Sequence, residues 1–162
     1  MEPNFNQYCL RVRLIIGLIL ATLSLSSQAD DFGELAKRCA PSVAEDTLRA
    51  IVKTESGFNP YAIGVVKGKV KQPRAYHEAM STIAELELSG ADYSVGLAQI
   101  NRKNFSKYGI SASQALDACT NLKVASRILS ACFKSAKQSP ASDGKALHDA
   151  LSCYYSGNFK TG

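Results

Sequence analysis

The spacing of apolar residues predicts helices at the start and near the middle of the chain. Ser42-Val43-Ala44-Glu45 has the pattern of a capping box, and the apolar stripe that follows it continues to about Ser56. Gly57 is a candidate C′ residue for this helix. A second helix is predicted from about Arg74 to Ser89, where Gly90 ends the repeat.

A helical hairpin is predicted for the last third of the chain. Residues 121–136 carry an apolar stripe at helical spacing, with Thr120 as a candidate cap. The stretch from Ser139 to Gly144 is rich in residues that break helices. We therefore expect the chain to turn there and to return as an antiparallel helix.

The segments between these helices are irregular. Gly, Pro and Asn interrupt the periodicity at residues 57–73 and 90–110, and residues 93–100 favour the short strands of a small hairpin. No internal repeat or linker divides the chain. The pattern predicts a single α+β domain that is predominantly α-helical.

Residues 1–29 have the features of a secretory signal peptide. Arg11 and Arg13 precede a twelve-residue apolar stretch, and Ser27 and Ala29 suit a cleavage site with small residues. Twelve apolar residues are fewer than the ~20 needed to span a bilayer. We therefore expect cleavage near Ala29, a mature domain of residues 30–162, and no stable membrane span after processing.

Composition excludes several classes of protein. The chain has 162 residues, 46% hydrophobic and 20% charged, which is typical of a globular domain and not of a disordered or polytopic membrane protein. Its net charge of +5 is smaller than most nucleic-acid binders carry. A basic cluster lacks the interleaved aromatic residues that favour nucleic acid, and attraction to a weakly anionic partner, or plain solubility, explains it better: Lys67, Lys69, Lys71 and Arg74.

No metal or cofactor site is predicted. His77-Glu78 begins like the H-E-x-x-H zinc motif, but Ser81 stands where the second histidine is required. His148 is solitary, and no phosphate-binding glycine loop or nucleophile elbow is present. We therefore expect no cofactor, no metal and no nucleic-acid partner.

Cysteine spacing predicts two disulfides. Four cysteines remain after cleavage: Cys39, Cys119, Cys132 and Cys153. Cys119 and Cys132 lie about 20 Å apart along one predicted helix, well beyond the ~7 Å that a disulfide allows between Cα atoms. The helical hairpin brings Cys132 close to Cys153, which leaves Cys39 to pair with Cys119. Paired cysteines offer no thiolate nucleophile.

Glu55 is the strongest candidate for chemistry. It shares a helix face with Ile51 and Leu48, so its carboxyl projects from the apolar stripe. Burial and the negative end of the helix dipole both raise the pKa of a carboxyl, which makes it a proton donor near neutral pH. The alternatives are that Glu55 forms an ion pair with Lys53 or Lys37, or that its side chain turns outward past a frayed helix end.

Three motifs resemble, in order and spacing, the signatures of the soluble lytic transglycosylase family: Glu55-Ser56-Gly57-Phe58-Asn59-Pro60, Gly96-Leu97-Ala98-Gln99-Ile100-Asn101 and Cys153-Tyr154-Tyr155-Ser156-Gly157. Within that family, further segments are similar to the small transglycosylases of type IV secretion and conjugation machines: Cys39-Ala40-Pro41-Ser42, Asn59-Pro60-Tyr61-Ala62-Ile63-Gly64 and Cys119-Thr120-Asn121-Leu122. The resemblance covers nearly all of residues 39–159.

The resemblance implies a lysozyme-like fold and a periplasmic enzyme that acts on the glycan strands of peptidoglycan. Glu55 would be its only catalytic acid and base, and the bond between N-acetylmuramic acid and N-acetylglucosamine would break with formation of a 1,6-anhydro ring. Gln99 and Tyr154 would hold sugar or acetamido groups. The implied partners are other components of a type IV secretion channel.

Several of these residues also have structural interpretations. Tyr154 is equally suited to a core position, Ser56 to ending a helix and Asn101 to capping a turn, although the resemblance places all three in the binding site. The alternation of residues 97–101 predicts Leu97, Gln99 and Asn101 on the same side of a strand. Asp92 is the nearest second carboxyl and is interpreted as a turn or cap residue.

The chain departs from the family pattern at two positions. Ala98 stands where many members have Met, and Tyr155 stands where they have Asn. Relatives also usually continue beyond the third signature, so a final helix or tail is expected to be missing here. The alternative functions are a hydrolytic muramidase, whose product is one water heavier, and a non-catalytic scaffold of the secretion channel.

Overall fold

A computed structural model describes residues 31–138 and 142–159 of the chain. The chain divides into two units, Met1–Leu35, whose described residues are helical, and Ala36–Gly162. The predicted signal peptide lies outside the described residues. None of the described helices has the length and apolar character that crossing a bilayer requires.

The described residues are mostly helical, with one small sheet, which confirms the predicted fold class. Their helices and strands follow one another in this order: α1 (31–39), α2 (Glu45–Ser56), β1 (Ile63–Val65), α3 (Tyr76–Leu88), β2 (Tyr93–Val95), β3 (Ile100–Asn101), a short 3-10 helix (Arg102–Asn104), α4 (Phe105–Tyr108), α5 (Ala112–Ala115), α6 (Ala118–Ala136) and α7 (Asp143–Ser156).

The sheet is antiparallel, in the order β1-β2-β3. Ile63 lies opposite Val95 between β1 and β2, and Val95 lies opposite Ile100 between β2 and β3. The buried side of the sheet packs with α3 and α5 in one apolar cluster: Ile63, Ala79, Ile83, Tyr93, Val95, Ala115 and Leu116. This core supports the part of the chain that holds the second sequence motif.

Strand β1 lies in a segment that the sequence predicts as irregular. Three residues are too few to show alternation, and part of the pairing of β1 comes from a side chain. The Gln72 amide donates a hydrogen bond to the carbonyl of Ile63 at 2.8 Å and accepts one from its N–H at 3.0 Å. The side chain thus satisfies backbone groups at the sheet edge as a neighbouring strand would.

Two predicted helix starts are wrong. The Ser42–Glu45 capping box does not form, because Val43 closes a turn onto Ala40 and α2 begins only at Glu45, whose carboxylate pairs with Arg49. Thr120 lies inside α6. The cap of α6 is Asp117, whose carboxylate accepts a hydrogen bond from the Thr120 N–H at 2.8 Å.

Helices α6 and α7 pack against each other as the predicted hairpin. The chain re-enters a helix at Asp143, capped by Ser142, so that α7 starts inside the stretch expected to break it. Both predicted disulfides are present: Cys39 is bonded to Cys119, and Cys132 is bonded to Cys153. Residues of α6 therefore form covalent links to both α1 and α7.

A buried asparagine of α6 holds the turn between β2 and β3. Asn121 is fully buried, and its amide donates hydrogen bonds to the carbonyls of Val95 at 3.0 Å and Ala115 at 2.7 Å. Its side-chain oxygen accepts a third from the Ala98 N–H at 2.8 Å. Gly96 has φ of +82°, and a Cβ there would lie 2.2 Å from the Asn121 amide nitrogen. A side chain at Gly96 and this asparagine cannot coexist.

We predict that Asn121→Ala lowers the free energy of unfolding by about 2–4 kcal/mol, because three buried backbone groups lose their partner. Thermal denaturation measures the change. Thr120→Ala, the adjacent position, is the control, since the Thr120 side chain makes no hydrogen bond among the described residues. Equal stability of the two variants would contradict the role given to Asn121.

Candidate active site

The end of α2 fixes the position of Glu55. Leu48 and Val52 are fully buried on the inner face of the helix, which sets its rotation. Gly57 ends the helix in a left-handed conformation with φ of +57°, and its N–H bonds to the carbonyl of Lys53. Glu55 therefore lies in the last turn of α2, two residues before the glycine that ends it, and is half-buried.

Burial raises the pKa of the Glu55 carboxyl above its ordinary value. Desolvation is the cause, because a charged carboxylate loses hydration in apolar surroundings. Within the described residues the carboxyl makes no hydrogen bond and no ion pair with Lys53 or Lys37. The carboxyl is therefore free to exchange a proton with a bound molecule.

Two surface cavities meet at Glu55. We call the larger, about 680 Å³, the sheet-side cavity; its lining includes Gly64, Val66, Gln99, Asn101, Lys103, Lys107 and the Cys132–Cys153 disulfide. The smaller, about 580 Å³, is the helix-side cavity, and its mainly apolar lining includes Asp46, Ala50, Ile51, Leu147 and Leu151. Both are also lined by Glu55, Tyr154 and Tyr155. The three shared residues lie where the two cavities adjoin, and we call the two cavities together the groove.

Gln99 lines the sheet-side cavity, but not in the way its sequence predicts. Residues 96–99 form a turn, and Gln99 has φ of +47°, so the expected strand alternation with Leu97 and Asn101 is wrong. Its amide nitrogen donates to the carbonyls of Ala62 and Gly96, each at 3.0 Å. The amide oxygen accepts no hydrogen bond from the described residues. One side of the amide is anchored and the other is available.

Tyr154 connects α7 to the same turn. Its hydroxyl donates a hydrogen bond to the carbonyl of Ala98 at 2.6 Å. Desolvation, followed by the negative charge of Glu55, raises the pKa of the hydroxyl well above its ordinary value. The phenol therefore stays protonated and continues to donate at any physiological pH.

The other residues expected in the site have structural partners. Asn101 lines the sheet-side cavity, yet its amide donates to Asp92 and its oxygen caps the 3-10 helix. Ser56 lines neither cavity; its hydroxyl bonds to the Val52 carbonyl at 3.1 Å. Hydrogen bonds from Lys103 and Asn101 lower the pKa of Asp92, which keeps it ionised as a structural partner.

Three contributors to the groove were not predicted from the sequence. Lys103 and Lys107 bring positive charge to a cavity in which Glu55 is the only lining acid among the described residues. Gly64 lies so close to Gln99 that a Cβ would come within 2.6 Å of the amide oxygen. A glycine inside a strand often marks such a close approach, but β1 itself was not predicted.

Comparison with known proteins identifies the domain. A family model described as "Transglycosylase SLT domain" matches residues 34–162. A protein of Brucella abortus (strain 2308) named "Type IV secretion system protein virB1" is 52% identical over 130 residues, which cover 79% of this chain and 55% of that protein. "Protein virB1" of Agrobacterium fabrum is 35% identical over 134 residues, which cover 82% of this chain and 54% of that protein. This chain spans about half the length of these curated relatives. No solved structure matches it significantly.

We predict that Glu55→Gln stabilises the protein at neutral pH. Because burial raises the pKa of Glu55, the folded state binds this proton more tightly than the unfolded state does. The stability that this contributes is complete below the ordinary pKa of 4.5 and is lost as the pH rises through the folded-state value. The amide has no charge to desolvate.

The variant should therefore melt at a higher temperature than the parent at pH 7, and the difference should shrink below pH 4.5. Melting curves across this pH range measure it. A variant that is less stable than the parent at pH 7 would indicate a favourable partner for the carboxylate.

Proposed function

We propose that this chain is a peptidoglycan lytic transglycosylase with Glu55 as its catalytic acid and base, since it belongs to the Transglycosylase SLT domain family. The observation that carries the proposal is the half-buried carboxyl of Glu55 at the meeting point of two cavities, with a raised pKa and no internal partner. The substrate would be the glycan strand of peptidoglycan.

The first step uses the raised pKa. Protonated Glu55 gives its proton to the oxygen that links N-acetylmuramic acid to N-acetylglucosamine, and the C1–O bond breaks. The N-acetylglucosamine side leaves with a free 4-hydroxyl. The Glu55 carboxylate then takes the proton from the muramic 6-hydroxyl as that oxygen bonds to C1. The glutamate is protonated again, and no water is consumed.

The lack of a second suitable carboxyl favours ring closure over hydrolysis. Hydrolytic glycosidases usually pair two carboxyls about 5–9.5 Å apart. Asp46 is the other acid lining these cavities among the described residues, and it lies nine residues before Glu55, about 13 Å along α2. Asp92 is engaged with Lys103 and Asn101. An internal hydroxyl nucleophile requires only one carboxyl.

Gln99 and Tyr154 suit different tasks in this site. Gln99 lines the sheet-side cavity, and its amide oxygen, which accepts no hydrogen bond from the described residues, suits an N–H donor such as the acetamido group of a sugar. The Tyr154 hydroxyl is occupied by the Ala98 carbonyl, so its contribution is to hold the turn that carries Gln99. Ser56 and Asn101 are proposed only as supports of this site.

The cellular setting is also part of the proposal. Two disulfides are typical of an exported chain, and Lys103 and Lys107 suit a substrate with carboxylate groups. Since the virB1 relative of Brucella abortus is named as a type IV secretion protein, we place this chain in the periplasm, exported by residues 1–29. There it would open the wall locally for such an apparatus and contact other channel components.

We predict that Glu55→Gln lowers glycan cleavage by about 10²–10⁴-fold or more, because the amide cannot transfer the proton. Mass spectrometry of sacculi digested with the parent should find 1,6-anhydro products. Glu85→Gln makes the same chemical change at an exposed site on α3 and should leave cleavage unchanged.

The products also separate the alternatives. Products heavier by one water would identify a hydrolytic muramidase. No cleavage by the folded parent would favour a non-catalytic scaffold, and full cleavage by a folded Glu55→Gln protein would exclude Glu55 as the catalytic residue.

We predict that Gly64→Ala lowers the rate of cleavage about two- to tenfold, which is the value of one hydrogen bond. The new Cβ would lie 2.6 Å from the Gln99 amide oxygen, so that side chain must move. Gly144→Ala is the control, since nothing lies within 4 Å of a Cβ there. Melting temperatures show whether the fold is retained. Equal rates for the two variants would show that the position of the Gln99 amide does not matter to the substrate.

A further inference from the structure

Tyr155 is an exposed aromatic residue at the centre of the groove. Its relative exposure is 75%, the highest of any described aromatic side chain among the exposed large hydrophobics. It lines both the sheet-side and the helix-side cavity, as Glu55 and Tyr154 do. A phenol ring left in water has no role in the core, and this one lines the same cavities as Glu55, where a bound molecule would contact it.

The backbone that carries Tyr155 is fixed on both sides. Cys153 is bonded to Cys132, and the hydroxyl of Tyr154 is bonded to the Ala98 carbonyl. The hydroxyl of Ser156 bonds to the Ser152 carbonyl at 2.7 Å. Only the two side-chain torsions of Tyr155 remain to be fixed when a ligand binds, so ordering it costs little entropy.

We propose that Tyr155 is a stacking platform for a pyranose ring of the glycan next to the bond that Glu55 cleaves. One face of a β-linked pyranose presents axial C–H groups, which form an apolar patch that packs on an aromatic face, while the sugar hydroxyls stay at its edge. Tyrosine offers a large apolar face together with a polar tip. Among the described residues that line either cavity, the other phenol ring belongs to Tyr154, whose hydroxyl is already bonded.

A sugar that binds next to Glu55 has to be oriented, and an uncharged aromatic face can do this without bringing another charge to the site. Glu55 acts on one atom, and the adjacent ring must be held so that this atom stays within hydrogen-bond distance. Tyr155 is thus a specificity-determining residue, and this role rests on the proposed function.

The test measures binding separately from cleavage. In a Glu55→Gln background, peptide-free glycan strands purified from peptidoglycan are titrated against the protein. Tyr155→Leu should raise the dissociation constant about two- to tenfold, and Tyr155→Phe should retain the parent affinity. The melting temperature should not change, because the side chain is exposed. Tyr76→Leu changes a tyrosine on α3 that is 48% exposed and lines neither cavity, and it should have no effect.

A spectroscopic readout follows from the absence of tryptophan in the chain. Tyr155→Trp introduces a single reporter whose emission should change saturably as glycan is added, whereas Tyr76→Trp should not respond. Unchanged affinity of Tyr155→Leu, or a silent Tyr155→Trp under conditions where glycan binds, would overturn the stacking role.

The two proposals can fail separately. If the parent releases anhydro products and Tyr155→Leu binds glycan as tightly as its background, the stacking role is wrong and the proposed reaction stands. If the parent releases none while Tyr155→Leu still weakens glycan binding, the reaction is wrong and the stacking role stands. Absence of any glycan binding would overturn the stacking role.

Discussion

The close approach of Gly96 to the buried amide of Asn121 is the constraint on which the groove depends. The turn at residues 96–99 leaves backbone groups that strands β2 and β3 cannot pair, and Asn121 supplies hydrogen bonds to Val95 and Ala98. The same turn receives the Tyr154 hydroxyl from α7. Helices α6 and α7 are thereby joined to one short segment. These hydrogen bonds form because leaving a buried polar group unpaired would raise the free energy of the folded state by more than ordering the side chains does. Gln99 projects into the groove from the position that this arrangement fixes.

Glu55 illustrates the opposite condition, since it is a polar group that the fold leaves without a partner. An ion pair with Lys53 would stabilise the carboxylate and hold its pKa down, and the protein would gain stability while losing a proton donor. The described structure instead lets desolvation act alone. Tyr154 lies close enough for the Glu55 charge to raise the pKa of its hydroxyl, but that hydroxyl is directed to the Ala98 carbonyl. The carboxyl therefore keeps its own hydrogen-bonding capacity for a ligand.

Local patterns in the sequence predicted the structural features that depend on neighbouring residues. They missed the features that depend on contacts with residues distant in the chain. Helices α2, α3, α6 and α7, the hairpin and both disulfide pairs follow from periodicity and spacing over a few turns, whereas the shorter helices α1, α4 and α5 were not predicted. The direction of Gln99 could not be predicted, because the turn that carries it is held by hydrogen bonds from Asn121 and Tyr154, which come 22 and 55 residues later in the chain. Strand β1 was missed for the same reason, since a side chain, Gln72, satisfies its outer edge. The helix face of Glu55 was enough to predict its partial burial. The groove around it could not be predicted, because it is lined by residues that only the whole fold brings together.

The disulfides add covalent bonds to the hydrogen bonds that join distant parts of the chain. Cys39–Cys119 closes a separation of 80 residues and Cys132–Cys153 one of 21, which the chain-entropy model values at about 4–5 and about 3 kcal/mol. The smaller contribution comes from the bond that lines the groove and holds the last turn of α7. Its position matters more than its contribution to stability, because Tyr154 and Tyr155 follow Cys153 directly. The Cys132–Cys153 bond thus fixes covalently the backbone of two residues that line the groove.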